Sequence, residues 1–512
     1  MISTKILIVT TIVLYLVGII MVGVYFSRKN SGGSSSEFYL GGRKLGPLVT
    51  AMSAEASDMS SWLLMGLPGL AYISGVAEAG WTAIGLAVGT YLNFLIVAKR
   101  LRNYTLATNS VTLPSFFSNR YRDSRHALAC IAAIVVLIFF IPYTASGFKA
   151  IGTLFNSLFA IDYHTALLAG AIVIVVYTVL GGFLAVATND LIQSVVMSVA
   201  LIVIVCFGIA QAGGLDVVMD NARALPGYLN LNQGHNMAEG SASTYGGLAI
   251  ASTMAWGLGY FGMPHILVRF MAIEDADKLK YSRRIGTVWV IISMSVAIFI
   301  GIIGYSVSQA GKIPFLGTPA ESETIIIQLA NLLSSFGPFL AIVAGVVLAG
   351  IMASTMSTAD SQLLTAAAGV SQDLLQGFCG IKMSNKTSML VARVTVICIA
   401  IVGVFLAWNP ASSVFRIVSF AWAGFGASFG PLVLFSLFWK RTTKQGALAG
   451  MIAGAAMVFI WKYGIAKLGG LWSIYELLPA FVFSSLVIVV VSLLTPAPSR
   501  EIVDEFDAVG KM

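Results

Sequence analysis

Charged residues are scarce in this chain. Asp, Glu, Lys and Arg make up 10% of its 512 residues, whereas hydrophobic residues make up 58% and the mean hydropathy is +0.89. Soluble domains contain about 45–50% apolar residues, so this composition excludes an ordinary soluble protein. The polar segments, such as 213–244, are too short to build an independent hydrophobic core. We therefore expect an all-α polytopic membrane protein with one domain over 1–512, which acts inside the lipid bilayer.

Cysteine and histidine are also rare, and their positions exclude several kinds of site. The four cysteines lie in or beside apolar stretches without the spacing of metal ligands, which argues against a disulfide framework or a zinc site. The four histidines are scattered and form no HExxH pattern, which argues against an intramembrane metalloenzyme. The net charge of +8 comes from short basic clusters between apolar stretches, so it indicates membrane topology and not a nucleic-acid partner.

Apolar stretches of membrane length occur about thirteen times. The first begins after Lys5 and ends near Phe26 without a small-residue cleavage signature, so we expect a retained helix and not a signal peptide. Basic clusters follow the odd-numbered stretches, which predicts an amino terminus outside and a cytoplasmic tail at 495–512. The predicted spans are 6–27, 47–74, 79–98, 127–156, 164–184, 188–212, 245–270, 286–309, 336–376, 390–408, 414–438, 446–465 and 475–494.

Two of these spans are interrupted near their middle by Gly, Ser and Pro. The first, 47–74, contains SAEASDMSSW at 53–62 with the carboxylates Glu55 and Asp58, and the second, 245–270, contains WGLGYFGMPH at 256–265. Small residues also pack membrane helices together, which is the alternative explanation for either segment alone. A broken helix at membrane depth survives where it lines a cavity or binds something, and its free carbonyls suit a cation.

The two broken spans are the second and the seventh, which suggests an internal repeat. An odd offset of five spans gives two halves of opposite orientation. We therefore expect a first repeat at 47–212 and an inverted second repeat at 245–438. The helix at 6–27 and two helices within 446–494 are additions to this core.

A third segment places hydroxyl groups and a carboxylate on one helix. At helical spacing, 349–364 brings Ser354, Ser357, Thr358 and Ser361 to one face, with Asp360 at its border. Hard oxygen ligands of this kind suit sodium, although Ser and Thr alone also serve helix packing. Asp190 is either a helix-start residue or the partner of this face, in which case the two carboxylates need an intervening cation or a shared proton.

These residues lie in motifs that resemble the sodium/solute symporter family, most closely its bacterial sodium/proline symporters. The resemblance covers nearly the whole chain. It implies a leucine-transporter-like inverted-repeat fold and alternating access driven by the inward sodium gradient. The matching motifs, in order, are YLGGR at 39–43, SDMSSWLLMGLPG at 57–69, GGFLAV at 181–186, WGLGYFG at 256–262, MST at 356–358, AWAGFGASFGP at 421–431 and GALAGM at 446–451.

The resemblance also implies roles for individual residues. The sodium-binding oxygens fall on Ala56, Met59, Ser354, Ser357 and Thr358. Asp58 corresponds to the carboxylate of sodium coupling, and a second ion site falls on Asp190, Ser357, Asp360 and Ser361. Arg43 resembles a residue of the inner gate. The substrate-side positions are Ser60, Trp62, Tyr143, Trp256, Tyr260 and Pro264, to which we add Glu55, Ser57 and Phe261 as candidates from their chemistry and position.

The chain departs from the family pattern at the site itself. Glu55 and Ser61 stand where glycines are usual, Met263 replaces a glutamine, and Asp360 stands where serine is common. Glu55 precedes Asp58 by one helical turn, so the two carboxylates would repel each other if both were ionised. A substrate ammonium group or a proton on Glu55 would relieve that repulsion.

The sequence therefore predicts a sodium-coupled symporter in the cell membrane that imports a small amino acid, with L-proline as the first candidate. The alternatives are another small amino or carboxylate solute, and coupling to protons. An intramembrane enzyme or a solute sensor is a more distant alternative, since no catalytic cluster or signalling domain is evident. Sodium and the lipid bilayer are the expected partners. No organic cofactor, nucleic acid or oligomer is required.

Overall fold

Helices make up nearly all of the described chain, because only a backbone that satisfies its own hydrogen bonds is stable in hydrocarbon. The computed structural model describes residues 4–29, 35–180 and 182–511, so Gly181 of the 181–186 motif lies outside the described residues. Ten helices in these ranges are long and apolar enough to cross a membrane: Thr4–Phe26, Val76–Ala107, Ala127–Phe159, Phe183–Ala212, Ala276–Gln309, Pro338–Phe378, Lys386–Leu406, Val414–Phe438, Lys444–Leu468 and Leu477–Leu494.

The other three predicted spans are shorter or interrupted, so the count of thirteen stays a prediction. The span 164–184 is the helix Tyr163–Leu180, of which Tyr163–Val176 is apolar. The span 47–74 divides into Pro47–Asp58, the π-helical turn Trp62–Gly66 and Leu67–Ser74. The span 245–270 divides into Gly247–Met254, the 3-10 helix Ala255–Gly262 and Pro264–Ala272.

Several shorter elements connect the long helices. Segment 213–244 forms the helix Leu215–Ala224 and an antiparallel hairpin of Gln233–Asn236 with Ser241–Thr244, in which Gln233 lies opposite Thr244. The sequence pattern did not predict the apolar helix Ile325–Ser334 or the amphipathic tail helix Arg500–Val509. The remaining short helices are Ser35–Leu40, Gly41–Arg43, Leu113–Arg120, Ala276–Lys278, Pro319–Ser322, Ile465–Leu468 and Gly470–Trp472.

Some long helices change their winding along their length. Val76–Leu92 continues through the π-helical turn Asn93–Ala98 into Lys99–Ala107, and Pro338–Ala368 continues into the π-helical segment Gly369–Phe378. The bounds of the others are Thr4–Lys29, Ala127–Phe159, Phe183–Ala212, Leu279–Gln309, Asn385–Leu406, Val414–Phe438, Lys444–Tyr463 and Leu477–Leu494.

The helix that carries the hydroxyl groups lies at the centre of the protein. Pro338–Ala368 packs against Phe183–Ala212, Ala127–Phe159 and the helix Pro47–Asp58 of the first broken span. The most apolar window of Pro338–Phe378 is 72% buried within the protein, whereas that of Thr4–Phe26 is 22% buried. The amino-terminal helix is therefore less enclosed by the protein than the hydroxyl helix.

Candidate functional site

The first broken segment interrupts its helix at residues 59–61. The helix Pro47–Asp58 ends at Met59, whose backbone angles of φ −74° and ψ 67° leave the helical region and whose N–H donates to Glu55 O at 2.8 Å. Ser60 N then donates to Asp58 O at 2.7 Å before helical winding resumes at Trp62. The break frees carbonyl groups near the middle of the segment, which confirms the predicted interruption.

The second broken segment changes from an α-helix to a 3-10 helix and ends at the extended residue Met263. Its freed carbonyls are bound by side chains from neighbouring helices: Trp422 Nε1 donates to Trp256 O at 2.7 Å, and Asn93 Nδ2 donates to Tyr260 O at 3.0 Å. A Cβ on Gly259 would lie 1.9 Å from Trp422 Nε1, so this approach requires glycine. Neighbouring side chains thus stabilise an irregular backbone at membrane depth.

The first broken segment and the central hydroxyl helix meet at the expected sodium ligands. Ser357 Oγ donates to Ala56 O at 2.7 Å and lies 3.1 Å from Ser354 O. Thr358 Oγ1 lies 3.2 Å from the same Ser354 carbonyl. Ser354, Ser357 and Ala56 are fully buried. We call Ala56, Ser354, Ser357 and Thr358 the oxygen junction; Met59 lies at the adjoining break. The junction offers neutral hard oxygens of the type that suits sodium.

Asp58 connects the two broken segments and three of the candidate substrate residues. Its Oδ2 accepts a hydrogen bond of 2.5 Å from the Tyr260 hydroxyl, while its carbonyl accepts from Trp62 Nε1 at 3.0 Å and from the Tyr143 hydroxyl at 3.4 Å. Asp58 Oδ1 is buried and has no hydrogen-bond partner among the described residues. The structure therefore brings Asp58, Trp62, Tyr143 and Tyr260 together next to the oxygen junction.

Glu55 lies one turn before Asp58 and faces the helix Leu279–Gln309, whereas Ala56 faces the hydroxyl helix. Its carboxyl group packs against Gly286, where a Cβ would lie 3.3 Å from Glu55 Cγ and Oε1 and 3.4 Å from the Phe94 ring. The residue is 1% exposed, and neither carboxyl oxygen has a hydrogen-bond partner within the described ranges. A buried carboxylate of this kind is costly unless it is protonated or meets a cation.

Asp190 lies well inside its helix, which begins at Phe183, so the alternative of a helix-start residue is wrong. Its Oδ2 accepts from Ser53 Oγ at 2.6 Å and from Arg269 Nη2 at 3.2 Å, and the same Nη2 donates to Ser361 Oγ. Arg269 was missed by the sequence prediction, although an arginine inside the span 245–270 is a signal of the same kind as Asp58. Asp360 is also fully buried, on the hydroxyl helix.

Arg43 joins three segments next to the half-helix Pro264–Ala272. Its Nη1 donates to Met271 O at 2.6 Å and lies 3.3 Å from Thr105 Oγ1, and its Nη2 donates to Thr105 O at 3.0 Å and to Ser110 O at 2.8 Å. Burial and then the Arg102 guanidinium lower the pKa of Arg43 to about 10, so this side chain is still charged at neutral pH.

The remaining substrate-side candidates each have their own surroundings. Trp256 lines a cavity that also includes Glu78, Glu323, Arg416 and Tyr475, and its ring lies 6.3 Å from that of Trp62. Ser60 Oγ lies 3.4 Å from Trp62 N, whereas Ser57 Oγ donates to Ala54 O within its own helix. Phe261 is buried in the core, and Pro264 begins the half-helix that carries Arg269.

Known proteins resemble this chain over nearly its whole length. A model of the sodium:solute symporter family matches residues 38–454. The sodium/proline symporter of Haemophilus influenzae is 42% identical over 507 residues, which cover 98% of this chain and 97% of that protein. The high-affinity proline transporter PutP of Bacillus subtilis is 44% identical over 486 residues, which cover 94% and 97%. Because the family and these relatives are transporters, this chain is a multi-pass membrane transporter and not an enzyme.

Solved structures share the fold at low sequence identity. A Na+-coupled sialic acid symporter in a substrate-bound outward-open state matches with a TM-score of 0.77 and 17% identity over 96% of this chain and 99% of that one. A nucleobase-cation-symport-1 family transporter in a closed conformation matches with a TM-score of 0.54 and 13% identity over 93% and 99%. These neighbours confirm the leucine-transporter-like fold class. The family match over residues 38–454 and the identity to the two proline transporters show that the chain belongs to the sodium:solute symporter family.

Proposed function

We propose that this protein is a sodium-coupled symporter that imports L-proline by alternating access. The observation that carries the proposal is the contact between Ser357 Oγ and Ala56 O, which joins the broken helix to the hydroxyl helix. Sodium bound at the oxygen junction would hold these two elements together and complete the adjoining solute site around Asp58. The coupling is reciprocal, so solute must tighten sodium binding by the same factor by which sodium tightens solute binding.

The solute site of the proposal lies between the two broken segments. Trp62, Tyr143 and Tyr260 are tied to Asp58, and the Trp256 ring faces that of Trp62. Aromatic faces of this kind pack against a small saturated ring and attract its ammonium group. The cavity next to Trp256 carries both Glu78 and Arg416, and this mixed charge suits a zwitterion such as an amino acid.

The proposed orientation places the amino terminus outside and the tail 495–512 in the cytoplasm. It rests on the basic clusters, which lie at one end of the odd-numbered spans. In this orientation the cavity beside Trp256 opens outward, and Arg43 lies on the inner side, where we propose that it holds the inner gate closed. An inward potential of 100 mV then supplies about 2.3 kcal/mol for each sodium ion that enters.

Proton coupling is the second candidate, because Glu55 has an unpartnered buried carboxyl group one turn from Asp58. A proton that binds Glu55 in one state and leaves it in the other would be carried with the solute. The sodium proposal and this one are compatible, because the Glu55 carboxyl group packs against Gly286 whereas Ser357 contacts Ala56.

Accumulation of labelled L-proline in proteoliposomes tests the proposal. An inward sodium gradient should drive uptake above equilibrium, and a potassium gradient of equal size should not. A proton gradient without sodium serves as the test of the second candidate. Uptake that does not depend on the sodium gradient would contradict sodium symport. Accumulation of other small amino acids in place of proline would contradict the proposed solute.

A further inference from the structure

The carboxy-terminal helix Arg500–Val509, which we call the tail helix, is folded against the body of the protein. Its residues Ile502, Phe506 and Val509 recur at helical spacing, and all three are buried. Asp504 lies on the opposite, exposed side. The tail helix is therefore docked by one face on a surface of its own protein.

The docking surface binds an aromatic ring with arginine side chains. The centre of the Phe506 ring lies 4.7 Å from Arg100 Cζ and 5.2 Å from Arg120 Cζ. A guanidinium group attracts the face of an aromatic ring within about 6 Å. Phe506 therefore anchors the tail helix.

Two ion pairs flank this anchor. Glu505 lies 2.7 Å from Arg122, and Asp507 lies 3.4 Å from Lys440. The two basic side chains are more than half exposed, so water and salt weaken both pairs. The pairs orient an acidic helix on a basic surface, whereas Phe506 holds it there.

Arg120 makes the docked state easy to reverse. Its Nε donates to Ser436 O at 3.2 Å, but Nη1 and Nη2 are buried and have no hydrogen-bond partner among the described residues. Its Cζ lies 5.3 Å from the Tyr104 ring and 5.0 Å from the Tyr121 ring, and the Phe506 ring completes this cage. Docking thus exchanges the hydration of a charge for contact with a ring, and these two effects oppose each other.

The tail helix lies where two long helices end. Arg100 belongs to the helix Lys99–Ala107. Its Cζ also lies 5.3 Å from the ring of Phe438, the last residue of the helix Val414–Phe438. Because Phe506 packs on the same guanidinium group, the docked tail helix braces the ends of these two helices against each other.

The helix Lys99–Ala107 is also bound to the region of the proposed inner gate. Arg43 Nη2 donates to Thr105 O at 3.0 Å. Arg102 Nε donates to Ile273 O at 2.8 Å, directly after the half-helix Pro264–Ala272. A continuous set of contacts therefore runs from the tail helix to the half-helix.

We propose that the tail helix is a releasable clamp on the inner gate. When docked, it holds Lys99–Ala107 in place and keeps the inner side closed, and when released, it allows the half-helix Pro264–Ala272 to move. The clamp has the two arrangements that coupling between distant sites requires. This inference rests on the proposed orientation and alternating access, and it adds a means to regulate them.

Hydrogen exchange of the full-length protein in lipid nanodiscs tests the clamp without sodium or solute. Phe506→Lys places a further cation beside Arg100 and Arg120 and should release the tail helix. We expect exchange at least about threefold faster than in the wild type, both in the tail helix and in the half-helix Pro264–Ala272, because local opening sets exchange rates.

Two other variants of the tail helix are the controls. Phe506→Tyr keeps an aromatic face for the guanidinium groups, and Asp504→Ala changes the exposed side, so both should exchange as the wild type does. Faster exchange confined to the tail helix of Phe506→Lys would overturn the clamp, because its release would leave the half-helix unaffected. Unchanged exchange in Phe506→Lys would overturn Phe506 as the anchor, and a rapidly exchanging tail helix in the wild type would show that the clamp is open.

Measurements of transport separate the clamp from the proposed function. Phe506→Lys should raise the maximal rate of sodium-driven proline uptake at least about twofold, because conformational steps such as gate opening often limit turnover. An equal or lower rate, with the tail helix released, would overturn control of transport by this helix. Absence of sodium-driven uptake in the wild type would overturn the proposed function, and hydrogen exchange would still show whether the tail helix clamps the half-helix.

Discussion

Ser357 and Ala56 lie 301 positions apart in the chain, and the hydroxyl of Ser357 donates a hydrogen bond of 2.7 Å to the carbonyl of Ala56. The carbonyl belongs to the helix that ends at the break, and the hydroxyl belongs to the central helix Pro338–Ala368. A cation at this position would bind both oxygens and would couple the two elements. Occupancy of the junction is therefore a means to control how the two helices move relative to each other.

Asp58→Asn should raise the sodium concentration for half-maximal uptake by at least about fivefold, because coupling free energies between sites are typically about 1–3 kcal/mol. The measurement is the initial rate of proline uptake against external sodium. Asp373→Asn is the control, since Asp373 is also buried and accepts a hydrogen bond from a hydroxyl, that of Thr112 at 2.8 Å. An unchanged sodium requirement in Asp58→Asn would remove Asp58 from the coupling role.

Tyr260→Phe should weaken sodium-dependent uptake less than the loss of the carboxylate does. It leaves the Asp58 carboxylate in place and removes one of the hydrogen bonds made to it. The double variant with Asp58→Asn should be less impaired than the two single effects combined, because the residues contact each other. Strict additivity in this cycle would contradict a functional link between Tyr260 and Asp58.

Glu55→Gln keeps the shape of the side chain and removes its exchangeable proton. If the proton on Glu55 takes part in transport, uptake by the wild type should fall as the pH rises, because an ionised Glu55 would repel Asp58, and Glu55→Gln should flatten this profile. The sodium requirement should stay unchanged, since Glu55 faces Gly286 and not Ser357. Glu55→Gly tests the solute preference. Identical pH and solute profiles in the wild type, Glu55→Gln and Glu55→Gly would mean that the glutamate at position 55 has no effect on transport.

Arg43→Gln should lower the maximal uptake rate without a change in the sodium requirement. Four hydrogen-bonding contacts tie Arg43 to the backbone or side chains of Met271, Thr105 and Ser110, and their loss should loosen the half-helix Pro264–Ala272. Faster hydrogen exchange in that half-helix would report the loosening. Since the pKa of Arg43 is about 10, these contacts should persist across neutral pH in the wild type. Arg122→Gln, at an exposed ion pair with Glu505, serves as the control.

The breaks and the hydroxyl stripe were predictable because each is a local pattern. Gly, Ser and Pro inside apolar runs mark the breaks, and helical spacing places Ser354, Ser357 and Thr358 together. The pairing of Arg269 with Asp190 was not predictable, because these residues are 79 positions apart in the chain. Spacing along the sequence does not tell which helices lie next to each other. The helix Ile325–Ser334 was missed for another reason: at ten residues it is shorter than the window that identifies a membrane span.

Ser357→Ala tests the central claim, which is that sodium at the oxygen junction drives transport. The measurement is initial proline uptake into proteoliposomes at a fixed potential, over a series of external sodium concentrations. Ser484→Ala is the matched control, because Ser484 is also buried and its hydroxyl donates to a carbonyl of another helix, Gly450 O at 2.8 Å. We expect Ser357→Ala to need about tenfold more sodium for half-maximal uptake, which corresponds to about 1.4 kcal/mol, while Ser484→Ala behaves as the wild type. Equal sodium curves for Ser357→Ala and the wild type, in folded protein, would contradict the account.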